Sequence, residues 1–84
     1  MSSILKIKLY GSAQCHKTQH YKNFLTQSGL DYSFLDVIKH ENLAEELRNL
    51  YTNKKLNFPT ITLGNKRLRN PSDSELIKWI EKLK

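Results

Sequence analysis

The side chain best suited to covalent chemistry is Cys15, the only cysteine among 84 residues. It stands in GSAQCHKTQH, residues 11–20, which is polar on both sides. An inert buried cysteine usually keeps apolar company. One cysteine cannot form an intramolecular disulfide or a Cys-rich zinc site. His16, His20 and His40 lack metal-ligand spacing, and His20 and His40 read as surface residues. What remains is a reactive thiol, favoured by its polar surroundings, or a structural one. Lys17 and, when protonated, His16 add positive field beside the sulfur, and Thr18, three residues on, offers a hydroxyl donor. Neighbouring residues on a helix do not face each other, so a Cys15–His16 catalytic pair is not implied.

A thiol acts as a nucleophile through its thiolate, so its position matters. The unpaired N–H groups of a helix start favour negative charge. That field contributes about 0.3–1 kcal/mol at exposed sites and up to ~2 when partly buried. At about 1.36 kcal/mol per pKa unit, the thiol falls by less than one unit to about 1.5. The chain must therefore bring a strand and a turn to a helix that opens at Cys15.

The hydrophobic pattern supplies those elements. Ile4–Tyr10 alternates, with Leu5, Ile7 and Leu9 on one side and Lys6 and Lys8 on the other, which predicts a strand ended by Gly11-Ser12. From Cys15 the spacing becomes helical, with Tyr21, Phe24, Leu25 and Ser28 on one face and Gly29 closing the helix. Tyr32–Val37 reads as a second strand. Leu43, Ala44, Leu47, Leu50 and Tyr51 form the next helical face. Thr60–Leu63 and Lys66–Arg69 flank Gly64-Asn65 as a hairpin, with Gly64 at the positive-φ residue. In NPSD, Asn70 is placed to cap a last helix, with Pro71 at its first position and Asp73 three residues after the cap. Leu76, Ile77, Ile80 and Leu83 would form its buried face, flanked by Trp79.

The order β-α-β-α-β-β-α implies an α/β fold. Two parallel strands are joined through a right-handed crossover, an antiparallel hairpin completes a four-stranded mixed sheet, and helices cover both faces. No repeat, low-complexity tract or linker interrupts the chain, which reads as a single domain over residues 1–84. It contains no run of about 18 apolar residues and no secretory-signal pattern, so a soluble cytoplasmic protein without membrane association is expected. A lone free thiol fits a reducing compartment. The formal charge of +6 is concentrated in Lys54–Lys55 and in Lys66, Arg67 and Arg69. Such clusters read either as solvated surface or as sites for an anionic ligand. No aromatic stacking platform or nucleic-acid motif accompanies them, which argues against nucleic acid.

At YGSAQC, with Lys22, Leu25, Phe58-Pro59 and the NPSD helix start, the sequence resembles the glutaredoxins of the thioredoxin superfamily and their small relatives that serve ribonucleotide reductase. The resemblance runs from about Ile4 to Leu83 and implies the thioredoxin-like fold. Family members place a tyrosine five residues before the active-site cysteine and a lysine seven after, as Tyr10 and Lys22 stand here. The family's Cys-x-x-Cys or Cys-x-x-Ser loop reads Cys15-His16-Lys17-Thr18. The resemblance thus implies a monothiol variant with Cys15 as nucleophile and Thr18 in place of the resolving cysteine. Phe58-Pro59 corresponds to the family's cis-proline dipeptide. Lys17, Lys54, Lys55, Phe58, Pro59, Ser72 and Asp73 correspond to glutathione- or substrate-binding positions. Two family features are altered, since Ser12 replaces a lysine and Arg69-Asn70 replaces Gly-Gly.

The function implied is a monomeric, glutathione-dependent thiol–disulfide oxidoreductase acting on glutathione or glutathionylated proteins in cell redox homeostasis. Two alternatives stay open: a non-catalytic thioredoxin-fold interaction module, and a glutathione-dependent iron–sulfur cluster module. The second is disfavoured because His16-Lys17-Thr18 lacks the Gly-Phe-Ser of cluster-binding relatives. No resident metal is expected.

Overall fold

The chain is described by a computed structural model covering residues 6–56 and 58–83, without the Leu83 side chain. The element order is β1 (Ile7–Gly11), α1 (His16–Gln27), β2 (Ser33–Asp36), α2 (Glu41–Arg48), β3 (Thr60–Leu63), β4 (Lys66–Arg69) and α3 (Asp73–Leu83). The strands lie in the order β2-β1-β3-β4. β1 runs parallel to β2 and antiparallel to β3, and β3 runs antiparallel to β4. This is the mixed four-stranded sheet expected from the sequence. Ile4 and Leu5 lie outside the described residues.

Alternation along the strands splits the core in two. Ile7, Leu9, Ile61, Leu63 and Leu68 face α1 and α3, where they meet Tyr21, Leu25, Leu76 and Ile80. Tyr10 and Val37 face the other way, towards Ala44 and Leu47 of α2. Helices therefore cover both sides of the sheet. Each large aliphatic side chain buried this way stabilises the fold by about 1.5–3 kcal/mol relative to exposure.

Local chemistry sets the helix ends. α1 closes in a Schellman arrangement: the Leu30 N–H reaches the Leu25 carbonyl at 3.2 Å and the Gly29 N–H reaches Thr26 at 3.1 Å, with Gly29 at φ +71°. Gly64 takes φ +61° in the hairpin turn, as expected. The start of α3 differs from the expectation. Asn70 sits at φ +48° and gives its N–H to the Pro59 carbonyl at 3.0 Å. The cap is Ser72, whose Oγ accepts the Glu75 N–H at 3.1 Å, and Asp73 opens the helix. Ser72-x-x-Glu75 is a capping-box pattern, and it outranks Asn70 because Asn70 is turned into the left-handed region. Two further differences concern packing. Ile77 is 48% exposed because α3 buries only the Leu76–Ile80 stripe, with Trp79 half-buried beside it. α2 ends at Arg48, so Leu50 and Tyr51 pack on the core from the following turn rather than from the helix.

Candidate functional site

Strand register gathers the site at one end of the sheet. Tyr10 pairs with Thr60, so the chain leaving β1 and the chain entering β3 lie at the same edge. Gly11 pairs with Asp36 and Thr60 with Arg69, which adds the end of β2 and the approach to α3. The Ser12–Cys15 loop, Asp36-Val37, Phe58-Pro59 and Asn70-Pro71 thus form one rim although they are distant in sequence. The Phe58-Pro59 peptide bond is cis, as the resemblance implied.

Five contacts hold the cysteine loop. The Cys15 N–H returns to the Ser12 carbonyl at 3.0 Å, and the Ser12 hydroxyl accepts the Gln14 N–H at 3.2 Å. The Gln19 side-chain amide donates to the Ala13 carbonyl at 2.6 Å. The Thr18 hydroxyl oxygen accepts the Ser12 N–H at 3.3 Å. Finally, the Ala13 N–H reaches the buried Asp36 carboxylate, which also accepts from the N–H groups of Ile38 at 2.9 Å and Lys39 at 3.0 Å. Burial pushes the Asp36 carboxyl up, but these donors, with the nearby Lys39 charge, outweigh it and hold the group below the usual carboxylate range.

Cys15 is the N-cap residue of α1, half-buried and in extended conformation. No side chain caps this helix end and no acidic residue occupies its first turn. The sulfur takes that place. Burial pushes the thiol up, but hydrogen bonds from the Thr18 hydroxyl and the N–H groups of Thr18 and Lys17, together with the Lys17 charge, more than offset it. The thiol therefore lies below its ordinary value, so more of it is thiolate at neutral pH. Thr18 is fully buried and touches both sulfur and loop backbone. Gly11 makes room for it: a Cβ at Gly11 would stand 2.7 Å from Thr18 Cγ2 and closer still to Oγ1.

Beside the cysteine, His16, Lys17, His20, Tyr21, Asn70, Pro71 and Asp73 line an open groove of about 300 Å³. The buried Tyr21 forms its floor and donates to the Pro71 carbonyl, with Asn70 Oδ1 at 3.2 Å. Burial and the charges of Asp73 and Glu75 push its phenol up, which keeps it a donor. His20 is exposed as expected, but its Nε2 lies 2.8 Å from Asp73 Oδ1 across the groove.

Of the residues singled out in the sequence, Lys17 and Asp73 line this groove and Phe58-Pro59 lies on the same rim. Ser72 lies between the lining residues Pro71 and Asp73, and its hydroxyl oxygen accepts the Glu75 N–H as the cap. Lys54 and Lys55 are exposed on the segment after α2, where the Lys54 ammonium reaches Asn49 Oδ1 at 3.2 Å. Four contributors escaped the sequence reading as parts of the site: Gly11, Asp36, Tyr21 and the His20–Asp73 pair. A signal existed for Gly11, a glycine at the strand end where the chain turns into the cysteine loop. Asp36, an acid among apolar residues at a strand end, was a weaker one. The His20–Asp73 pairing had none, being 53 residues apart in sequence.

A mixed sheet between two helical layers, with a cysteine at the start of α1 on the same rim as a cis-proline corner, defines a thioredoxin-like protein with a thiol site. The sequence model of the glutaredoxin family matches residues 7–68, and the chain belongs to that family. The family domain points to thiol–disulfide redox function. Among solved structures, the fold is similar to glutaredoxin (grx-1) from Archaeoglobus fulgidus, with TM-score 0.76 and 17% identity over 93% of this chain and 88% of that one. It is similar also to thioredoxin-like protein BC3987, with TM-score 0.68 and 22% identity over 93% of this chain and 99% of that one. A variant of BC3987 gives TM-score 0.74 and 21% identity over 89% and 94% of the two chains. No curated protein matches the sequence significantly. Among the described residues, no helix is long and apolar enough to cross a membrane.

Proposed function

We propose that this chain is a monothiol glutaredoxin-like oxidoreductase that uses Cys15 on glutathione mixed disulfides. The observation that carries the reading is the Cys15 sulfur at an otherwise uncapped helix start, with the Thr18 hydroxyl and two N–H groups directed at it. The Cys15 thiolate attacks the glutathione sulfur of a mixed disulfide. A Cys15–glutathione disulfide forms and the substrate thiolate leaves. A second glutathione thiolate then attacks the bound glutathione sulfur, releasing oxidised glutathione and restoring the Cys15 thiolate. Both leaving and attacking thiols are external, so one cysteine suffices for the cycle.

Thr18, in the resolving position, serves instead as donor to the sulfur and as a fixed point of the loop. The groove beside Lys17 would hold the tripeptide, with Phe58-Pro59 at its rim and Asp73 at the α3 start. Lys54 and Lys55 offer charges for a ligand carboxylate. The Ser72 hydroxyl oxygen accepts the Glu75 N–H as the α3 cap, and its O–H would still be able to donate to a ligand carboxylate.

Mass spectrometry after incubation with oxidised glutathione tests this. A mixed disulfide on Cys15, removed by reduced glutathione, is the expected result. If iodoacetamide labels Cys15 readily but glutathione does not add, glutathione is the wrong co-substrate. If neither reacts at neutral pH, the thiol reading fails and the interaction-module alternative stands, which an unchanged host phenotype on Cys15→Ser would corroborate.

A further inference from the structure

Arg67 and Arg69 are not used by this site, and Lys54-Lys55 enter it only as charges for a ligand carboxylate. Lys54, Lys55, Arg67 and Arg69 take part in no ion pair among the described residues. Other cations do: Lys8 lies 3.8 Å from Glu46, and Arg48 contacts both Glu41 and Glu45. Of these, Arg67 packs on Tyr51, while Lys54-Lys55 follow Tyr51 in the chain and Arg69 lies beside its partner Thr60. The Arg67 guanidinium lies over the Tyr51 ring, 4.5 Å from its centroid, and donates to the Leu50 carbonyl. The Lys54 N–H returns to the Tyr51 carbonyl at 3.2 Å, placing Lys54-Lys55 one turn away. The Tyr51 hydroxyl meets Thr60 Oγ1 at 2.8 Å, and Thr60 pairs with Arg69.

Strand alternation puts Arg67 and Arg69 on the same face of β4, opposite the buried Leu68. β4 is an edge strand, and Thr60 directly follows Pro59. Arg67 and Arg69 therefore run along the sheet edge towards the rim that carries the cysteine loop. A surface potential of one sign steers anionic partners.

We propose that this Tyr51-centred corner docks an acidic polypeptide segment, so that the proteins reaching Cys15 carry acidic residues flanking their reactive cysteine. The proposal rests on the thiol reading only for the identity of the reacting atom. A peptide fits better than a nucleic acid because the ring face of Tyr51, the aromatic at the centre of the corner, is covered by the Arg67 guanidinium rather than open to a stacked base.

The test uses two peptides that differ only in their flanks, glutamates in one and lysines in the other. Each carries a central cysteine as its mixed disulfide with thionitrobenzoate. The Cys15 thiolate attacks the peptide sulfur, forms the Cys15–peptide disulfide and releases coloured thionitrobenzoate. At low salt the acidic peptide should react on the order of tenfold faster, and the advantage should shrink as salt rises. Arg69→Glu, alone and with Arg67→Glu, should abolish the preference while leaving iodoacetamide labelling of Cys15 unchanged. The exposed Arg69 side chain makes no hydrogen bond, ion pair or ring contact among the described residues, so its single variant tests charge with little effect on folding.

A second readout needs no thiol. Fluorescence anisotropy of the same flanks on Cys15→Ser protein should show salt-sensitive binding of the acidic peptide only. Equal rates for both peptides, or a preference that survives Arg69→Glu, would overturn the proposal. A single-stranded oligonucleotide that binds more tightly than the acidic peptide would overturn it as well. Loss of all thiol reactivity with acidic-peptide binding intact would instead defeat the oxidoreductase reading and leave this one standing.

Discussion

Two helix starts meet at the same rim and are built differently. α3 opens with Ser72 capping the Glu75 N–H, and Asp73 and Glu75 place carboxylates in its positive first turn. Its terminal N–H groups and dipole are turned to stabilising the helix itself. α1 opens with Cys15, no side-chain cap and no acid in the first turn. Its N–H groups at Lys17 and Thr18 are directed at the sulfur instead. The same backbone physics thus supports architecture at one helix and a reactive anion at the other. The difference lies in which residue stands at the cap. A helix that leaves its start unsatisfied by carboxylate or hydroxyl gives up roughly the 1 kcal/mol a good cap contributes and gains a place for a thiolate.

The sharpest way to break this contrast is Gly11→Ala. The new Cβ collides with Thr18, so the Cys15 loop loses its anchor. A stability loss of about 1–3 kcal/mol, typical of overpacking, is expected in urea denaturation, together with a raised thiol pKa from pH-dependent alkylation. Thr18→Val comes next. It keeps the shape but leaves the Ser12 N–H without its acceptor and the sulfur without a donor. A cost of about 1–3 kcal/mol is expected for the unsatisfied buried group, with alkylation at neutral pH slowed severalfold. Thr18→Ser should restore most of the rate.

Ser72→Ala probes the other helix. It should cost about 1 kcal/mol and leave the Cys15 alkylation profile unchanged. An altered profile would mean that the two starts are coupled rather than separate. The smallest expected effect concerns Asp36. Its folded carboxyl lies below the unfolded value, so its stabilisation is complete above the unfolded pKa and fades as pH falls towards the folded one. Thermal melts between neutral pH and the acid limb should show a stability loss below roughly pH 4 that Asp36→Asn flattens.

How far these features were legible depends on their range. The α1 stripe of Tyr21, Phe24 and Leu25, the Gly64 turn and the reactive setting of Cys15 all follow from local periodicity, turn chemistry and polarity. Misplacing the α3 cap at Asn70 shows the limit of local reasoning. Asn70 is a good cap by residue type, but the Pro59 carbonyl fixes its N–H and turns it into the left-handed region. Ile77 fits the helical stripe by spacing, and only the narrowness of the α3 contact leaves it exposed.

The sequence by itself determined the order of elements, the helix start at Cys15 and the absence of a second thiol, because these depend on neighbours within a turn or a strand. Tertiary structure alone decided that Asp36 would hold Ala13, that Gly11 would admit Thr18, that His20 would face Asp73 and that Arg67 would cover Tyr51. Each of these joins residues from different elements through strand register and helix packing. Such pairings follow from which faces are buried together, and that is settled only when the whole chain closes on its two cores.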